Sequence, residues 1–349
     1  MDAEPEKDRM ESPENLLKPW FSACSVGESL SNEDGGEDGK EGGPGLLSTL
    51  SATVRSVAKK SNMKRTSKYG PKRAFLLHYD NGKAPPHRTF KCPPESRAVA
   101  RVLRARGVEV LFKTPDEMLR RPPPLKVSDM VVGDMAWIRL ALGKFNIPMP
   151  RAPDYPDCLK HLLRRRIWTT TLGEVCRYLE REVSSKGLDK TPNVFIKPAT
   201  DTKLFNGLVE PRDQMIQFVA MQFPKSLSVV CSEIVDMVSE YRAYCINGVV
   251  KSIAHYLGPD MREKLDAKLI HEAGATLFKH RPDLAGCGLD FAVVKKSDGA
   301  FETVLIEVND GYALGIYEEG SHGIGERDYT DMLIARWRTL VAAKKKKKT

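Results

Sequence analysis

The sequence predicts a mixed chain: a small α/β unit over residues 71–150, then a larger strand-rich α+β body over 151–340. Three observations predict it. A strand, helix, strand rhythm runs from Arg73 to Asp134, apolar strands dominate from Asn193 onward, and the first 45 residues are mostly Glu, Asp, Gly, Ser and Pro. An apolar share of 41% can fill a core, which excludes a wholly disordered chain. No apolar run approaches the roughly 20 residues that cross a bilayer, so no transmembrane segment is expected.

The elements follow in order. Residues 1–70 read as a tail, acidic and disordered to about residue 45, then basic. The stretch 46–70 contains no acid. It reads as a solvated linker or as a short helix with Leu46, Leu47, Leu50 and Val54 on one face. RAFLLHY (73–79) is a buried strand. SRAVARVLRARG (96–107) is a helix with Val99, Val102 and Leu103 inward, ended by Gly107. VEVLFK (108–113) and KVSDMVVGD (126–134) are further strands. RRPPP (120–124) is a loop, and NIPMPRAPDYP (146–156) is an extended boundary. TLGEVCRYLEREV (171–183) is a helix, with Thr171 and Glu174 as a capping box and Leu172, Val175, Cys176, Leu179 and Val183 as its stripe. NVFIKP, SLSVVCSEIV, EYRAYCING, VVKSIAHY, GLDFAVV and FETVLIEVN are strands. One helix interrupts them, opened by Gly258-Pro259 and striped by Leu265, Leu269, Ala273 and Leu277. A last helix over 328–340 turns Tyr329, Met332, Leu333, Trp337 and Leu340 inward, and residues 341–349 form a polylysine tail. There is no internal repeat.

Charge is unevenly placed. Residues 1–45 hold twelve acids against four bases, so the +9 of the whole chain conceals a body near +17. Such a body suggests anionic partners, from nucleotides to nucleic acid, acidic proteins and lipid headgroups. The basic tracts suit an anionic surface, and the lysine run also reads as a nuclear address. Seven cysteines stand singly without a CxxC, and the acidic start resembles neither a secretory signal nor a presequence. An intracellular, cytoplasmic protein with reduced thiols is expected.

Several polar residues interrupt apolar strands. In FETVLIEVN, alternation sets Val304, Ile306 and Val308 on one side and Glu307 and Asn309 on the other. Asp290 breaks an apolar strand, as does Glu233. A buried carboxylate is costly unless paired or bound to a cation. Asp290, Glu307 and Asn309 therefore read either as an all-oxygen site for a hard cation or as members of a structural ion-pair network. Glu240 and Arg242 share a strand face with Tyr244, which read alone favours a salt bridge between them. Lys197 ends an apolar strand closed by Pro198, either snorkelling or aimed at an anion. The 202–207 loop with Gly207 is a weak phosphate signal. So many interruptions of one pattern, in order, point to function.

These residues resemble the ATP-grasp superfamily of carboxylate–amine ligases, in the segments FIKP, SEIV, EYR, the Asp290 strand and Glu307-Val308-Asn309. More narrowly, YPDCLKHLLRRRIWTTTLGEV (155–175), VFIKPATDTKLFNG, SEIVDMVSEYR and IEVNDGYALGIY resemble the ATP-grasp clade labelled by its arginines and lysine. The resemblance covers about 71–335. It implies two α+β subdomains clasping ATP behind a small pre-ATP-grasp domain. It further implies that Lys197 binds phosphates and that a loop with Phe205, Asn206 and Gly207 closes over them. Glu233 would accept from the adenine amino group, with backbone at Ile234 and Val235. Glu240 would hold the ribose, and Arg242 the γ-phosphate or an acyl phosphate. Asp290, Glu307 and Asn309 would hold one or two Mg²⁺, or Mn²⁺. A preceding phosphate-binding base falls at Arg165 or Arg166. Arg242 and Lys197 are the residues assigned to catalysis.

The implied reaction makes an amide through an acyl phosphate, from a carboxylate and an amine that the sequence leaves open among small molecules, peptides and protein tails. The alternative is a catalytically silent ATP-binding sensor recruited by its basic tails. No cysteine nucleophile is required, and Cys231, Cys245 and Cys287 read as strand-core thiols. Asp310-Gly311-Tyr312 and GSHGIGE (320–326) are candidates for an acceptor pocket. His322 reads as a solvated loop residue or a base, and His255 as an ordinary strand-end residue or a pocket member.

Overall fold

The computed structural model describes residues 70–80, 90–187, 193–199, 207–209, 221–317 and 323–346, all within one compact unit, Met63–Thr349. The expectations for residues 1–69, for Phe205 and Asn206, for His322 and for the last three residues lie outside this set.

The first layer is a parallel sheet. Strand β1 (Arg73–Leu77) is central, with β4 (Glu109–Lys113) and β5 (Met130–Val132) on its flanks. A short antiparallel pair, β2 (Tyr79–Asp80) and β3 (Phe90–Lys91), follows β1. Helix α1 (Pro94–Ala105) starts at a proline, whose missing N–H has no helical partner to lose there. It buries Ser96, Val99, Ala100 and Leu103, so the inward stripe lies slightly round from the expected one and Val102 is only half-buried. Gly107 ends it at φ +75°. Two helices escape the sequence reading. Helix α2 (Pro115–Arg120) has a reciprocal capping box between Thr114 and Glu117. Helix α3 (Met135–Lys144) is capped by Asp134, which accepts from Trp137 N at 2.8 Å. The expected strand over 126–134 shrinks to three residues for the same reason. Asp134 is a cap, and Asp129 accepts from Arg73 at 2.6 Å and from the Lys126 amide.

The second layer is an antiparallel sheet of β6 (Ile167–Thr171), β7 (Val194–Pro198), β8 (Gly207–Val209) and β9 (Ser228–Glu233), in the order β6-β9-β7-β8. Helix α4 (Leu172–Lys186) covers one face, burying Leu172, Val175 and Leu179 against Val194, Ile196, Val229 and Cys231. Thr171 caps it through Glu174 N. By alternation the opposite face carries Lys197, Val230 and Ser232.

The third layer is an antiparallel sheet in the order β11-β10-β12-β13, formed by β10 (Met237–Ile246), β11 (Val249–Leu257), β12 (Gly286–Lys295) and β13 (Phe301–Asp310). Helix α5 (Ala267–His280) packs beneath it through Ile270, Ala273 and Leu277. Its cap is Asp266, accepting from Leu269 N, rather than the expected Gly258-Pro259. Helix α6 (Glu326–Lys346) runs into the lysine tract, so the helix continues where a separate tail is expected. It is fixed by a buried pair, Arg336 with Asp310 at 2.5 Å, and by Trp337 Nε1 donating to Asp129 O. Cys231, Cys245 and Cys287 are buried free thiols. Among the described residues no helix is long and apolar enough to cross a membrane.

One irregularity resets the face pattern of β13. Asp290 pairs with Glu307, but Phe291 pairs with Leu305, so Ile306 is an extra residue. Such a bulge shifts the alternation by one. Leu305 and Val308 both pack with Leu289 and Phe291 toward α5, whereas Val304 and Ile306 pack with Ala292 and Val294 on the other face. Strict alternation over 304–308 is therefore corrected. Val308 leaves the Val304 face, and Glu307 and Asn309 join it.

Candidate functional site

The bulge places Glu307 and Asn309 beside Asp290 on the β12–β13 face that also carries Arg242 from β10. These side chains form one bonded string. Arg242 donates to both Asp290 oxygens at 2.8 Å, and Asn309 Nδ2 donates to Asp290 Oδ2 at 3.0 Å and to Glu307 Oε1 at 3.1 Å. Lys197 Nζ, from the facing sheet, donates to Glu307 Oε2 at 3.0 Å and to Asp154 Oδ1 at 2.9 Å. Four residues singled out in the sequence, on two sheets, thus meet. Lys197 and Asp290 are each 3% exposed, which is why both require partners.

Burial opposes the charge of Lys197, but Glu307, Tyr155 and Asp154 outweigh it and hold the ammonium above its ordinary range. Burial likewise opposes Arg242, and Asp290 more than offsets it. For Asp290 burial prevails over the arginine and raises the carboxyl above its usual value. Arg242 also lies against two tyrosines, 5.4 Å from the Tyr256 centroid and 5.1 Å from that of Tyr317, which stack on each other.

The remaining expected site residues are distributed as follows. Arg165 faces the cleft, but its donors are engaged with Ser232 Oγ at 2.9 Å and with the carbonyls of Leu163, Leu305 and Ile306. It rivets the bulged strand to the second sheet. Arg166 is on the other face, its guanidinium 4.9 Å from the Trp168 centroid, in a groove shared with Tyr178 and Arg181 of α4. Glu233 is exposed at the end of β9, not buried in an apolar strand as expected, and accepts from Arg166 N at 2.9 Å. Ile234 is exposed beside it. Val235 packs with Met237 and Ile306 over Ala292, Val294 and Val304, an apolar patch adjoining the charged string. Glu240 accepts from Tyr256 at 2.6 Å, so the expected Glu240–Arg242 bridge is replaced by Arg242–Asp290. Gly207 begins β8 and pairs with Ile196.

Two acceptor-pocket expectations are corrected. Tyr312 is buried and donates to Val131 O at 2.9 Å, while Asp310 binds Arg336. Both lock the sheet to α6. His255 lies on the far face of β11, 5.3 Å from the Tyr241 ring, with Nε2 near Leu257 O. Sequence reasoning missed Asp154, Tyr155, Ser232, Tyr256 and Tyr317. Their segments carry the motifs, but nothing in periodicity marks a residue that acts on its neighbour.

The donor chemistry fits a hard cation, since Asp290, Glu307 and Asn309 offer only oxygen ligands. Among the described residues no group of three or more His, Cys, Asp or Glu side chains gathers to hold a metal, so any such cation depends on the carboxamide and on oxygens from outside the protein.

An apolar patch that passes into a lysine, an arginine and two carboxylates, between two antiparallel sheets, defines a clasp for a polar ligand with one apolar end. Residues 162–324 match the family described as the ATP-grasp domain, family 2 of the clade labelled by two arginines and a lysine. The chain carries an ATP-grasp domain and has the ATP-grasp fold. Similar solved structures include the D-cycloserine synthetase DcsG (12% identity, TM-score 0.47, covering 76% of this chain and 99% of that one). A RimK domain ATP-grasp protein from Sphaerobacter thermophilus DSM 20745 is similar at 16% identity and TM-score 0.42, over 76% of this chain and 98% of that one. The D-alanine–D-alanine ligase from Bacillus anthracis is similar at 12% identity and TM-score 0.43, over 79% and 99%. No curated protein matches the chain.

Proposed function

We propose that this protein is an ATP- and Mg²⁺-dependent carboxylate–amine ligase acting through an acyl phosphate. The observation that carries the reading is the continuous string Lys197–Glu307–Asn309–Asp290–Arg242 beside the apolar patch at Val235, Met237 and Ile306. A purine suits the patch, with Glu233 and the Ile234–Val235 backbone at its edge and Glu240 toward the ribose. Lys197 is the phosphate ligand of this reading. Arg165, whose donors are committed to carbonyls, supports the cleft wall, and Arg166 is left out of it. Asp290, Glu307 and Asn309 would hold Mg²⁺, which supplies charge neutralisation to the phosphates.

The chemistry balances without a protein nucleophile. A substrate carboxylate oxygen takes the γ-phosphoryl group, giving an acyl phosphate and ADP. The amine nitrogen then attacks the acyl carbon, phosphate leaves, and the nitrogen loses its proton. Arg242, against Tyr256 and Tyr317, lies at the end of the string where an acyl phosphate would need a cation. The parallel sheet over 71–150 is proposed as the small domain preceding the ATP-grasp body over 151–340.

The test measures MgATP binding first, then ADP and phosphate release across panels of amino acids, peptides and acidic protein tails. Binding with carboxylate- and amine-dependent turnover is expected. Binding without turnover across all panels would replace the ligase by the sensor reading, and absence of MgATP binding would remove both.

A further inference from the structure

Asp154 lies before the first strand of the ATP-grasp body, in a stretch that reads from sequence only as a boundary. Its φ is +40°, in the left-handed region that a residue with a Cβ occupies only when its surroundings fix it. Two contacts do so. Its carbonyl accepts from Val308 N at 2.7 Å, in an isolated antiparallel bridge, and its Oδ1 accepts from Lys197 Nζ at 2.9 Å. One residue therefore ties the bulged strand of one sheet to the lysine of the other. Tyr155 closes the same corner, its ring centroid 4.5 Å from Lys197 Nζ.

Lys197 has two carboxylate partners with unlike surroundings. Glu307 also accepts from Asn309 and belongs to the set with Asp290. Asp154 stands apart from that set, with its backbone anchored, so it has no second claim on its oxygens among these groups. If Glu307 were the sole partner, a divalent cation and the ammonium would compete for one carboxylate. A buried lysine stripped of its partner is costly, so the competition would weaken cation binding.

We propose that Asp154 is the positioning residue of Lys197. It holds the ammonium in place while Glu307 turns to the cation, so the phosphate-binding and cation-binding halves of the cleft work together. This inference rests on the reading of the cleft as a MgATP site. It makes Mg²⁺ dependence, rather than nucleotide affinity at saturating Mg²⁺, the property under Asp154's control.

The experiment uses the full chain with Asp154→Asn and Asp154→Gly. Asparagine keeps the size and tolerates the left-handed backbone, and glycine relieves it, so the pair separates charge from strain. ATP affinity is measured by calorimetry over a series of Mg²⁺ concentrations, with thermal melting alongside. The Mg²⁺ concentration for half-maximal nucleotide binding should rise at least about tenfold in both variants, the equivalent of one charge-assisted hydrogen bond, while affinity at saturating Mg²⁺ stays close to wild type. An unchanged Mg²⁺ dependence in either folded variant overturns the inference and leaves the functional reading standing. An equal loss of affinity at every Mg²⁺ concentration also overturns it, because Asp154 would then act on Lys197 without sparing Glu307. Absence of MgATP binding by the wild type overturns the functional reading and the inference with it.

Discussion

Replacing Arg242 by methionine isolates the most demanding interaction of the cleft. The Asp290 carboxylate is 4% exposed and accepts two arginine donors at 2.8 Å each, with only Asn309 Nδ2 as a further donor. Arg242→Met therefore leaves a buried anion with one hydrogen bond. Breaking one side of a buried pair costs about 3–5 kcal/mol. At about 2–4 °C per kcal/mol for a unit of this size, melting should fall by roughly 6–20 °C. The double variant Arg242→Met/Asp290→Leu removes both charges beside the Tyr256–Tyr317 stack, an apolar surface that a methionine side chain can cover. It should regain most of the loss, because an apolar pair of similar volume is often neutral. Urea unfolding of wild type, both single variants and the double variant yields the coupling energy, and MgATP binding is read on the same four proteins. Coupling below about 0.5 kcal/mol, the additive limit, would refute the buried-pair argument. A stable double variant that still binds MgATP with wild-type affinity would remove both residues from the functional site.

Two further outcomes concern the scaffold. Burial pushes the Cys231 thiol up to about 12, so its folded pKa exceeds the unfolded value and its contribution, full below pH 9, is lost as pH climbs from there. The urea midpoint of wild type should therefore fall more steeply between pH 8 and 11 than that of Cys231→Ala, and parallel curves would contradict this. At Gly286 an added Cβ would lie 2.1 Å from the Met332 carbonyl oxygen of α6. Gly286→Ala should cost about 1–3 kcal/mol or more in urea unfolding, and an unchanged midpoint would mean α6 is not seated against β12.

The strands were legible wherever apolar runs were long and bounded by turn residues, as at 194–198 and 286–295. The four core polar residues were legible for a related reason, since each breaks an apolar pattern that would otherwise be cheaper to keep. What escaped depended on contacts distant in sequence. Helices α2 and α3 begin at Thr114 and Asp134, whose capping roles are plain once the local backbone turns but are hidden beside a short strand. The bulge at Ile306 has no composition signal, yet it decides which side of the sheet Glu307 faces. Arg165 and Arg166 are adjacent and chemically identical, so only strand phase separates a cleft residue from one stacked on Trp168.

The bulge and the Asp154 bridge together explain how the cleft can be highly charged without being unstable. The bonded string from Asp154 to Arg242 contains three carboxylates and two cations, with Arg165 nearby on the same face as a third. Each charge is buried or half-buried, and each is answered within the string, so desolvation is offset locally. A polyanion arriving alone would meet the carboxylates as well as the lysine and would be repelled by half of the set. Arriving with its divalent ion, it exchanges partners in both directions, phosphate for carboxylate at Lys197 and metal for ammonium at Glu307, and leaves no charge unanswered. On the proposed reading the site therefore selects the metal–nucleotide complex over either component, and it does so because one extra residue in β13 turned two oxygen ligands toward a lysine that Asp154 already held.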